Sequence, residues 1–346
     1  MNINQIENNT LAIILPVWGD DYIDYAEEML FFSLIKDNNL PLFLSKCNFE
    51  SAEILICTRE QDIKKFLGKN FKKLRTLINV RFIISDSCIV ERKYSSYSNL
   101  IKKGMEESYD KRFLIFCCPD EFYIDGSFGN LSSHIGSVKI FFCSYLRCND
   151  TKTLRDFLKK NKSNIEIINE AILNLHEKEK KLNIESKDFN NRSPSKFFSY
   201  SNGGLVSRNF HLPPIFIDKE KDLSKKDLSQ FDGTIDDAGF LDKITDGSSK
   251  DIYIEQIFSN FGQINIEKKD NIKKTQLKKF SILSFFNFTT RRVGKVHWQL
   301  FKKVVYYNFQ NNKILDNKKF NFVSQIIIRL EKISYFIYNL RKKFTH

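Results

Sequence analysis

Short apolar runs that alternate with stretches of helical spacing are the feature that most constrains the fold of this 346-residue chain. The runs, each with the length of a buried strand, occupy residues 11–15, 53–57, 80–84, 113–118 and 138–143. Helical spacing of apolar side chains fills residues 21–35, 62–67 and 94–108. This alternation predicts an α/β fold with a mainly parallel sheet flanked by helices.

The second half of the chain carries a weaker pattern. Its predicted segments are one or two helices (151–182), a loop (183–195), an aromatic segment (196–217), an exposed charged insertion (219–229), and a last helix and strand (251–266). We therefore expect an α/β domain over residues 1–270. A basic, aromatic-rich and helical C-terminal region is expected over residues 271–346.

The net charge of +13 belongs to this C-terminal region. Residues 271–346 hold 17 Lys and Arg against two acids, whereas the rest of the chain is nearly neutral. Apolar residues recur there at steps of four, three, four and three, on one predicted helical face: Ile326, Leu330, Ile333, Ile337 and Leu340. A basic amphipathic helix is typical of binding to an anionic membrane surface. The alternatives are a helix packed on the main domain and a site for single-stranded nucleic acid, which no domain motif supports.

The seven cysteines form neither a CxxC pair nor a metal-ligand spacing. Most lie in or beside apolar runs, where a free thiol behaves as a small hydrophobe. The first ten residues are polar, and no apolar stretch has the length of a membrane span. We therefore expect a cytoplasmic protein that can attach to the inner face of the cytoplasmic membrane through its basic region.

The most apolar run ends abruptly in acids. Asp120 and Glu121 follow Pro119 directly, and Asp125 comes four residues later. Open α/β sheets bind ligands beyond the carboxyl ends of their strands, where carboxylates suit Mg²⁺ or Mn²⁺ at a diphosphate. The alternative is a solvated turn, since Pro-Asp and Asp-Gly-Ser are common turn sequences.

These and further segments resemble glycosyltransferases of the GT-A type, especially those of bacterial surface-polysaccharide biosynthesis. The resemblance covers residues 11–266 and rests on the order of five motifs: Leu15-Pro-Val-Trp-Gly19, Asp120-Glu121, Ser201-Asn-Gly-Gly-Leu-Val206, Asn209-Phe-His-Leu-Pro213 and Gly233-Thr-Ile-Asp-Asp237. It implies a GT-A (Rossmann-like) fold with a mixed, mainly parallel sheet. The metal motif of such enzymes usually reads Asp-x-Asp, whereas this chain has Pro-Asp-Glu.

The resemblance and the position at strand ends indicate a nucleotide-binding site. Its expected residues are Pro16, Val17, Trp18, Gly19, Arg59 and Asp86. Gly19 permits close approach of the backbone, and Trp18 offers a stacking face. The alternative for this segment is a strand-to-helix turn with a buried Trp.

The resemblance also implies an acceptor site at Tyr200, Gly203 and Gly204. Missing side chains there would admit a sugar ring, and an aromatic ring would stack on it. A tight hairpin turn is the alternative for the Gly pair.

Three further residues are candidates for roles in the chemistry. His211 could ligate the metal with Asp120 and Glu121, or bind a phosphate; alternatively its hydrogen bonds go to the backbone. Asp236 or Asp237 could take the proton of an acceptor hydroxyl as a general base. The alternative for these two acids is the capping of a helix N-terminus.

Together these residues predict a glycosyltransferase that uses Mn²⁺ or Mg²⁺. It would move a sugar from a nucleotide-sugar donor to a glycan or lipid-linked glycan acceptor of a capsule, O-antigen or lipooligosaccharide. A nucleotidyltransferase is one alternative, although the segment after the first strand is acidic and not a Gly-rich basic loop. A non-catalytic transferase-like binding or scaffold protein is the other. Nucleic acid is not expected as a partner.

Overall fold

The computed structural model describes residues 8–89, 93–191, 195–201, 204–219, 238–245, 248–268, 279–308 and 318–344. The strands in these ranges are β1 (Thr10–Pro16), β2 (Ser51–Thr58), β3 (Asn79–Ile84), β4 (Phe113–Phe116), β5 (Glu121–Tyr123), β6 (Ile140–Phe142), β7 (Tyr145–Asn149), β8 (Lys196–Ser201), β9 (Gly204–Asn209), β10 (Pro214–Asp218), β11 (Ile252–Ile254), β12 (Gln263–Glu267) and β13 (Val305–Tyr306).

The α-helices in the same ranges are α1 (Asp20–Tyr25), α2 (Phe32–Leu34), α3 (Leu40–Cys47), α4 (Lys69–Leu77), α5 (Lys93–Glu107), α6 (Ser127–Leu131), α7 (Lys152–Leu158), α8 (Asn164–Leu173), α9 (Glu177–Lys180), α10 (Ala238–Thr245), α11 (Ile282–Arg292), α12 (Lys295–Lys302), α13 (Lys318–Arg329) and α14 (Glu331–Phe344). A π-helical segment, Ala26–Phe31, connects α1 to α2. The 3₁₀ helices are Glu60–Lys65, Asp86–Cys88 and Ser132–His134.

Seven strands form one sheet in the order β11-β6-β10-β4-β1-β2-β3. The strands from β3 to β4 pair in parallel, as do β6 and β11. β10 is antiparallel to both of its neighbours, β4 and β6, so it runs opposite to the other six. The predicted fold class, a mixed but mainly parallel sheet flanked by helices with a helical C-terminal region, is confirmed.

The sheet is covered by helices on both faces, which explains why its central strands are continuously apolar. Alternate residues of β1 belong to different cores. Leu11, Ile13 and Leu15 pack in one cluster with α3 and α4, whereas Ala12 and Ile14 pack in another with α5. A Cβ atom added to Gly104 of α5 would lie 2.5 Å from Cγ2 of Ile14, so glycine permits this close approach of α5 to β1.

Two three-stranded sheets flank the large one. β5, β12 and β7 form the first, and side chains of α7 and α8 pack into its core. β13, β9 and β8 form the second. Helices α11, α12 and α13 cover that sheet. Phe285, Trp298 and Phe320 of these helices pack in one cluster with Phe197 of β8 and with Phe210, which follows β9. Residues beyond 279 therefore bury their apolar side chains against strands from the middle of the chain.

Several predicted elements differ from the observed ones. The sequence pattern missed α3 and α4, and residues 62–67 fall largely in a 3₁₀ helix. The aromatic segment forms the three strands β8, β9 and β10. The predicted last helix over 251–266 is wrong: this range contains β11 and β12, whose pairing with β6 and β7 overrides local propensity.

The predicted exposed insertion begins with a buried residue. Lys219 is 4% exposed, and its Nζ donates to the carbonyl oxygens of Ser108 and Tyr109, at 3.0 and 2.9 Å. Burial lowers the pKa of Lys219 to about 8. The ammonium thus lies over carbonyl groups just beyond the C-terminus of α5, where a cation is favoured. Residues 220–229 of the insertion lie outside the described residues.

Most of the thiols in the described ranges lie in the interior, as their apolar surroundings predict. Cys47, Cys57, Cys117, Cys143 and Cys148 are buried, and they form no disulfide. Burial raises the pKa of the Cys47 thiol to about 12. None of the helices in the described ranges combines the length and the apolar composition that a membrane span requires.

Candidate functional site

The topology brings the candidate residues to one edge of the large sheet. Parallel strands end at the same edge, so the segments that follow β1, β2, β3 and β4 meet there. Because β10 runs in the opposite direction, the segment that precedes it reaches the same edge. The sequence-predicted residues at this edge are Pro16, Val17, Trp18, Gly19, Arg59, Asp86, Asp120, Glu121 and His211.

A buried carboxylate, Asp62, joins the first two of these segments. Its Oδ2 accepts hydrogen bonds from the backbone N–H of Gly19 (2.9 Å) and from Nε of Arg59 (2.6 Å). Its Oδ1 accepts from Nζ of Lys65 (2.8 Å). The 3₁₀ helix that begins at Glu60 places Asp62 and Lys65 three residues apart, on one side of the turn.

These bonds keep Asp62 ionised. Burial would raise the pKa of its carboxyl, but the hydrogen bonds from Arg59, Lys65 and the Gly19 backbone lower it to about 2. Gly19 has φ of +81°, a conformation that side chains disfavour. Asp62 therefore fixes the position of the backbone after β1 relative to Arg59.

The other residues predicted to bind the nucleotide belong to the same segments as these contacts of Asp62. Val17 is fully buried, and its N–H donates to the carbonyl oxygen of Cys57 at 3.0 Å, so it supports the segment from inside. Trp18 is half-buried against the core beside α5, and its ring lies 6.1 Å from that of Tyr22. The backbone N–H of Glu60 approaches Oδ2 of Asp86 at 3.4 Å, which links the ends of β2 and β3.

The two acids after β4 have different surroundings. Glu121 is 3% exposed, and its carboxylate accepts from the Cys118 N–H (2.8 Å), the Tyr123 hydroxyl (2.7 Å) and Nε2 of Gln263 (2.5 Å). Burial raises the pKa of Glu121 to about 8 although the Cys118 and Tyr123 hydrogen bonds oppose it, and Asp120 adds to the rise. The Glu121 side chain thus points into the protein, toward its own loop and β12.

Asp120 is the more accessible acid. It is partly exposed, and its carbonyl oxygen accepts from the N–H of Ile266 in β12. Asp125 lies apart from this pair, because its carboxylate accepts from Nδ2 of Asn38 at 2.8 Å. The sequence signal for Asp120 and Glu121 was the same, but β5 begins at Glu121 and is buried throughout, whereas Asp120 lies in the turn before it.

The donor set around Asp120 fits one type of metal site. Within the described residues, no group of three or more His, Cys, Asp or Glu side chains could enclose a metal ion. A magnesium-like cation at phosphates needs only one or two protein carboxylates, because phosphate and water oxygens complete its shell. Asp120 suits a cation of that kind, shared with a phosphorylated ligand.

His211 packs against α12. Its ring lies 4.1 Å from that of His297 and 5.6 Å from that of Phe288. Burial, with the nearby His297 and Arg292, holds the pKa of His211 well below its usual value. The imidazole is therefore neutral, the form that ligates metals.

The predicted acceptor residues lie at the β8–β9 hairpin. Ser201 is paired with Gly204, and Tyr200, which is 43% exposed, is paired with Leu205. Gly204 has φ of +140°, and a Cβ atom there would lie 2.1 Å from Oδ1 of Asn308. The Gly204 backbone is thus used in a close contact within the protein. Gly203 lies outside the described residues.

The predicted bases Asp236 and Asp237 also lie outside the described residues. Helix α10 begins directly after them, at Ala238. Its Asp242 accepts hydrogen bonds from the N–H groups of Val296 (2.9 Å) and Lys295 (3.3 Å) at the start of α12. The helix that follows the two acids is therefore anchored to the helix that carries His297.

Sequence reasoning missed a buried acid at the same edge. Glu255 follows β11 directly, is 6% exposed, and accepts from the N–H of Ile257 at 2.9 Å. Burial raises its pKa. The signal that could have found it is the one used for Asp120, an acid at the end of an apolar run. Asp62 offered no comparable signal, since its role depends on contacts with Gly19, which is distant in the sequence.

We predict that Asp62→Asn lowers the free energy of unfolding by about 2 kcal/mol, because charge-assisted hydrogen bonds are lost. The pKa of the Asp62 carboxyl is depressed in the folded state, so its contribution is present above about pH 4 and is lost as pH falls toward about 2. Urea denaturation of both proteins over this range measures the difference. Glu60→Gln, at an exposed acid of the same 3₁₀ helix, is the control and should change stability by less than about 0.5 kcal/mol. Equal stabilities of wild type and Asp62→Asn would contradict the prediction.

We further predict that Glu121→Gln removes a pH dependence of stability. The folded protein holds a proton on Glu121 up to about pH 8, whereas the unfolded chain releases it near pH 4.3. Wild-type stability therefore falls as pH rises between these values, by at most about 1.4 kcal/mol per pH unit from this group, and the variant lacks that slope.

Denaturation midpoints measured at several pH values between about 5 and 8 test this prediction. Glu166→Gln is the matched control, because the pKa of Glu166, lowered to about 2 mainly by the side-chain hydrogen bond of Lys162, lies below the tested range. Parallel profiles for wild type and Glu121→Gln would show that Glu121 is ionised in the folded protein.

Protein-family models do not match this chain, and no curated protein matches it at a significant level. Among solved structures, it is similar to S. aureus TarS 1–349, with a TM-score of 0.33 and 10% identity over 81% of this chain and 63% of that one. A second structure of S. aureus TarS has a TM-score of 0.33 and 11% identity over 81% and 38% of the two chains. A Bacillus anthracis protein described as a glucose-1-phosphate thymidylyltransferase has a TM-score of 0.23 and 11% identity over 41% and 61%. The chain thus spans less than two thirds of the length of each of these structures.

Proposed function

We propose that this protein is a glycosyltransferase that takes a sugar from a nucleotide-sugar donor and transfers it to a bacterial surface glycan. The observation that carries this proposal is the meeting of two features at one sheet edge. One is the backbone segment after β1, locked to Arg59 by Asp62. The other is Asp120, a partly exposed acid after β4.

The segment after β1 is proposed to hold the nucleoside. Gly19 has no side chain that would keep a ligand from its backbone, Trp18 is only partly buried, and Asp86 lies across from Glu60. Asp20 and Asp21 follow immediately, so this segment lacks the Gly-rich basic loop expected of a nucleotidyltransferase. The charge of the segment therefore favours glycosyl over nucleotidyl transfer.

Asp120 is proposed to hold a Mn²⁺ or Mg²⁺ ion together with the donor diphosphate. Such a cation supplies positive charge that stabilises the departing diphosphate. Glu121, as a neutral and buried side chain, would position the loop that carries Asp120. His211 is a further candidate ligand, because its imidazole is neutral.

We expect Asp120→Ala to abolish the metal-dependent binding of the nucleotide, since the variant lacks the accessible carboxylate. The measurement is the rise in melting temperature on adding UDP, GDP, CDP or ADP, each with and without Mn²⁺, because a ligand of the native state must stabilise it. Asp125→Ala is the control, as it removes a nearby acid that hydrogen-bonds Asn38. An unchanged Mn²⁺-dependent shift in Asp120→Ala would remove Asp120 from the site.

The acceptor is proposed to be a glycan or lipid-linked glycan that lies near Tyr200 and the Gly203-Gly204 pair. Tyr200 supports this placement, because its ring is partly exposed beside the hairpin. Asp236 or Asp237 would take the proton of the acceptor hydroxyl. These two acids directly precede α10 in the sequence, and α10 is anchored to α12 through Asp242.

We expect the Asp→Asn change at the base, Asp236 or Asp237, to lower turnover by roughly a hundredfold or more, the usual contribution of a general base. Donor affinity should change little, because the nucleotide binds at other residues. Steady-state kinetics of both single variants separate the two effects. If neither variant lowers turnover, the base lies elsewhere, and Glu255 becomes the next residue to change.

The burial of Glu121 favours one alternative. Of the Asp120–Glu121 pair only Asp120 is partly exposed, so a non-catalytic protein that binds nucleotide sugars is the second candidate. An assay with Mn²⁺ that measures release of the nucleotide diphosphate from a panel of nucleotide sugars separates the two candidates. Even slow release would support the transferase. Binding without any turnover, with or without acceptor glycans, would support the non-catalytic protein.

A further inference from the structure

The last two helices expose a row of large apolar side chains. On α14, Ile333, Phe336 and Leu340 are 54%, 63% and 39% exposed, and Phe322 on α13 is 66% exposed. The three α14 residues are spaced at i, i+3 and i+7, so they lie along one face of the helix. We call these three side chains the α14 stripe.

The opposite side of α14 is held against the protein. The hydroxyl of Ser334, which is fully buried, lies 3.0 Å from the hydroxyl of Thr289 on α11. Nη1 of Arg341 donates to Oγ1 of Thr290 at 3.1 Å. These contacts with α11 fix the rotation of α14 and keep the α14 stripe on the outside.

Exposed basic side chains lie on both helices, and the two on α14 border the α14 stripe. Lys332 and Lys343 are exposed on α14, and Lys318 and Arg329 are exposed on α13. The acid within residues 318–344 is Glu331, whose carboxylate is paired with Lys302 at 2.8 Å. This surface therefore presents apolar side chains within a field of positive charge.

The charge decides which partner fits this face. A second copy of the chain would bring two positively charged surfaces together, which disfavours self-association. Single-stranded nucleic acid gains from aromatic stacking, whereas Ile333 and Leu340 offer aliphatic groups to the partner. Aliphatic and aromatic side chains bordered by Lys and Arg suit the headgroup–acyl boundary of a negatively charged bilayer.

We propose that the outer face of α13 and α14 is a docking surface for an anionic lipid bilayer. The α14 stripe enters the boundary between headgroups and acyl chains, and Lys332 and Lys343 pair with lipid phosphates. The membrane-facing residues differ from the stripe predicted from sequence, because Ile326, Leu330 and Ile337 are partly buried in the protein. The proposal concerns attachment alone and does not depend on glycosyl transfer.

The test is co-sedimentation of the full chain with lipid vesicles. We expect binding to vesicles that contain phosphatidylglycerol, little binding to pure phosphatidylcholine, and weaker binding as salt concentration rises. The triple variant Ile333→Ser, Phe336→Ser, Leu340→Ser should bind at least about tenfold more weakly, because its apolar contact with the bilayer is lost. Leu173→Ser is the control, as Leu173 is 76% exposed on α8, outside this face.

A second variant keeps the test independent of folding. Lys332→Gln with Lys343→Gln leaves the apolar side chains in place and should weaken binding to anionic vesicles about tenfold or more. Lys160→Gln, at an exposed lysine beyond α7, is its control.

Three outcomes would overturn the proposal. The first is unchanged sedimentation of both variants. The second is a dimer of the wild type that the triple variant loses, which would assign the face to a second copy. The third is tighter binding to single-stranded DNA than to vesicles. Transferase activity of detergent-dispersed protein is measured separately, so that failure of the proposed function and failure of this attachment can be told apart.

Discussion

The seating of β10 between β4 and β6 is the interaction on which the rest of the structure depends. It joins the parallel half of the large sheet, β3 to β4, to the half formed by β6 and β11. The guanidinium of Arg112 holds the end of β10 through two hydrogen bonds to the buried Asp218 carboxylate, both 2.9 Å long. Because β10 runs against its neighbours, its first residues reach the edge where Asp120 lies. The same reversal brings the segment that carries His211 toward that edge.

Strand positions were predictable where burial on both faces leaves little choice of residue. β1 and β4 read as unbroken apolar runs because helices cover both sides of the sheet. α3 and α4 were harder to recognise, because α3 begins at a Leu-Pro step and α4 is rich in lysine. The antiparallel direction of β10 is a long-range property, set by pairing with β4 and β6, which lie far earlier in the chain. No local pattern contains that information.

The candidate site, like the fold, could be predicted from the sequence only in part. The acid at a strand end was found from sequence, because an apolar run that stops at a charge is a local signal. The different surroundings of Asp120 and Glu121 follow from the pairing of β5 with β12, where Gln263 meets the Glu121 carboxylate. Asp62 acts through Gly19, 43 residues away, and only the folded chain reveals it. Local chemistry is therefore readable in the sequence, whereas the partners of each group are not.

The buried thiols can report the local unfolding of the regions that enclose them. Cys117 follows β4 and Cys143 follows β6, so the two lie on either side of β10, and Cys47 lies in α3. Burial raises the pKa of each of these three thiols, and a thiol that is neutral and enclosed reacts slowly with alkylating reagents. Modification must then wait for a local or global opening of the layer that encloses the thiol. Comparing the labelling rates of the three thiols would show whether the strand pairs around β10 open before or after α3. The measurement needs no introduced cysteine.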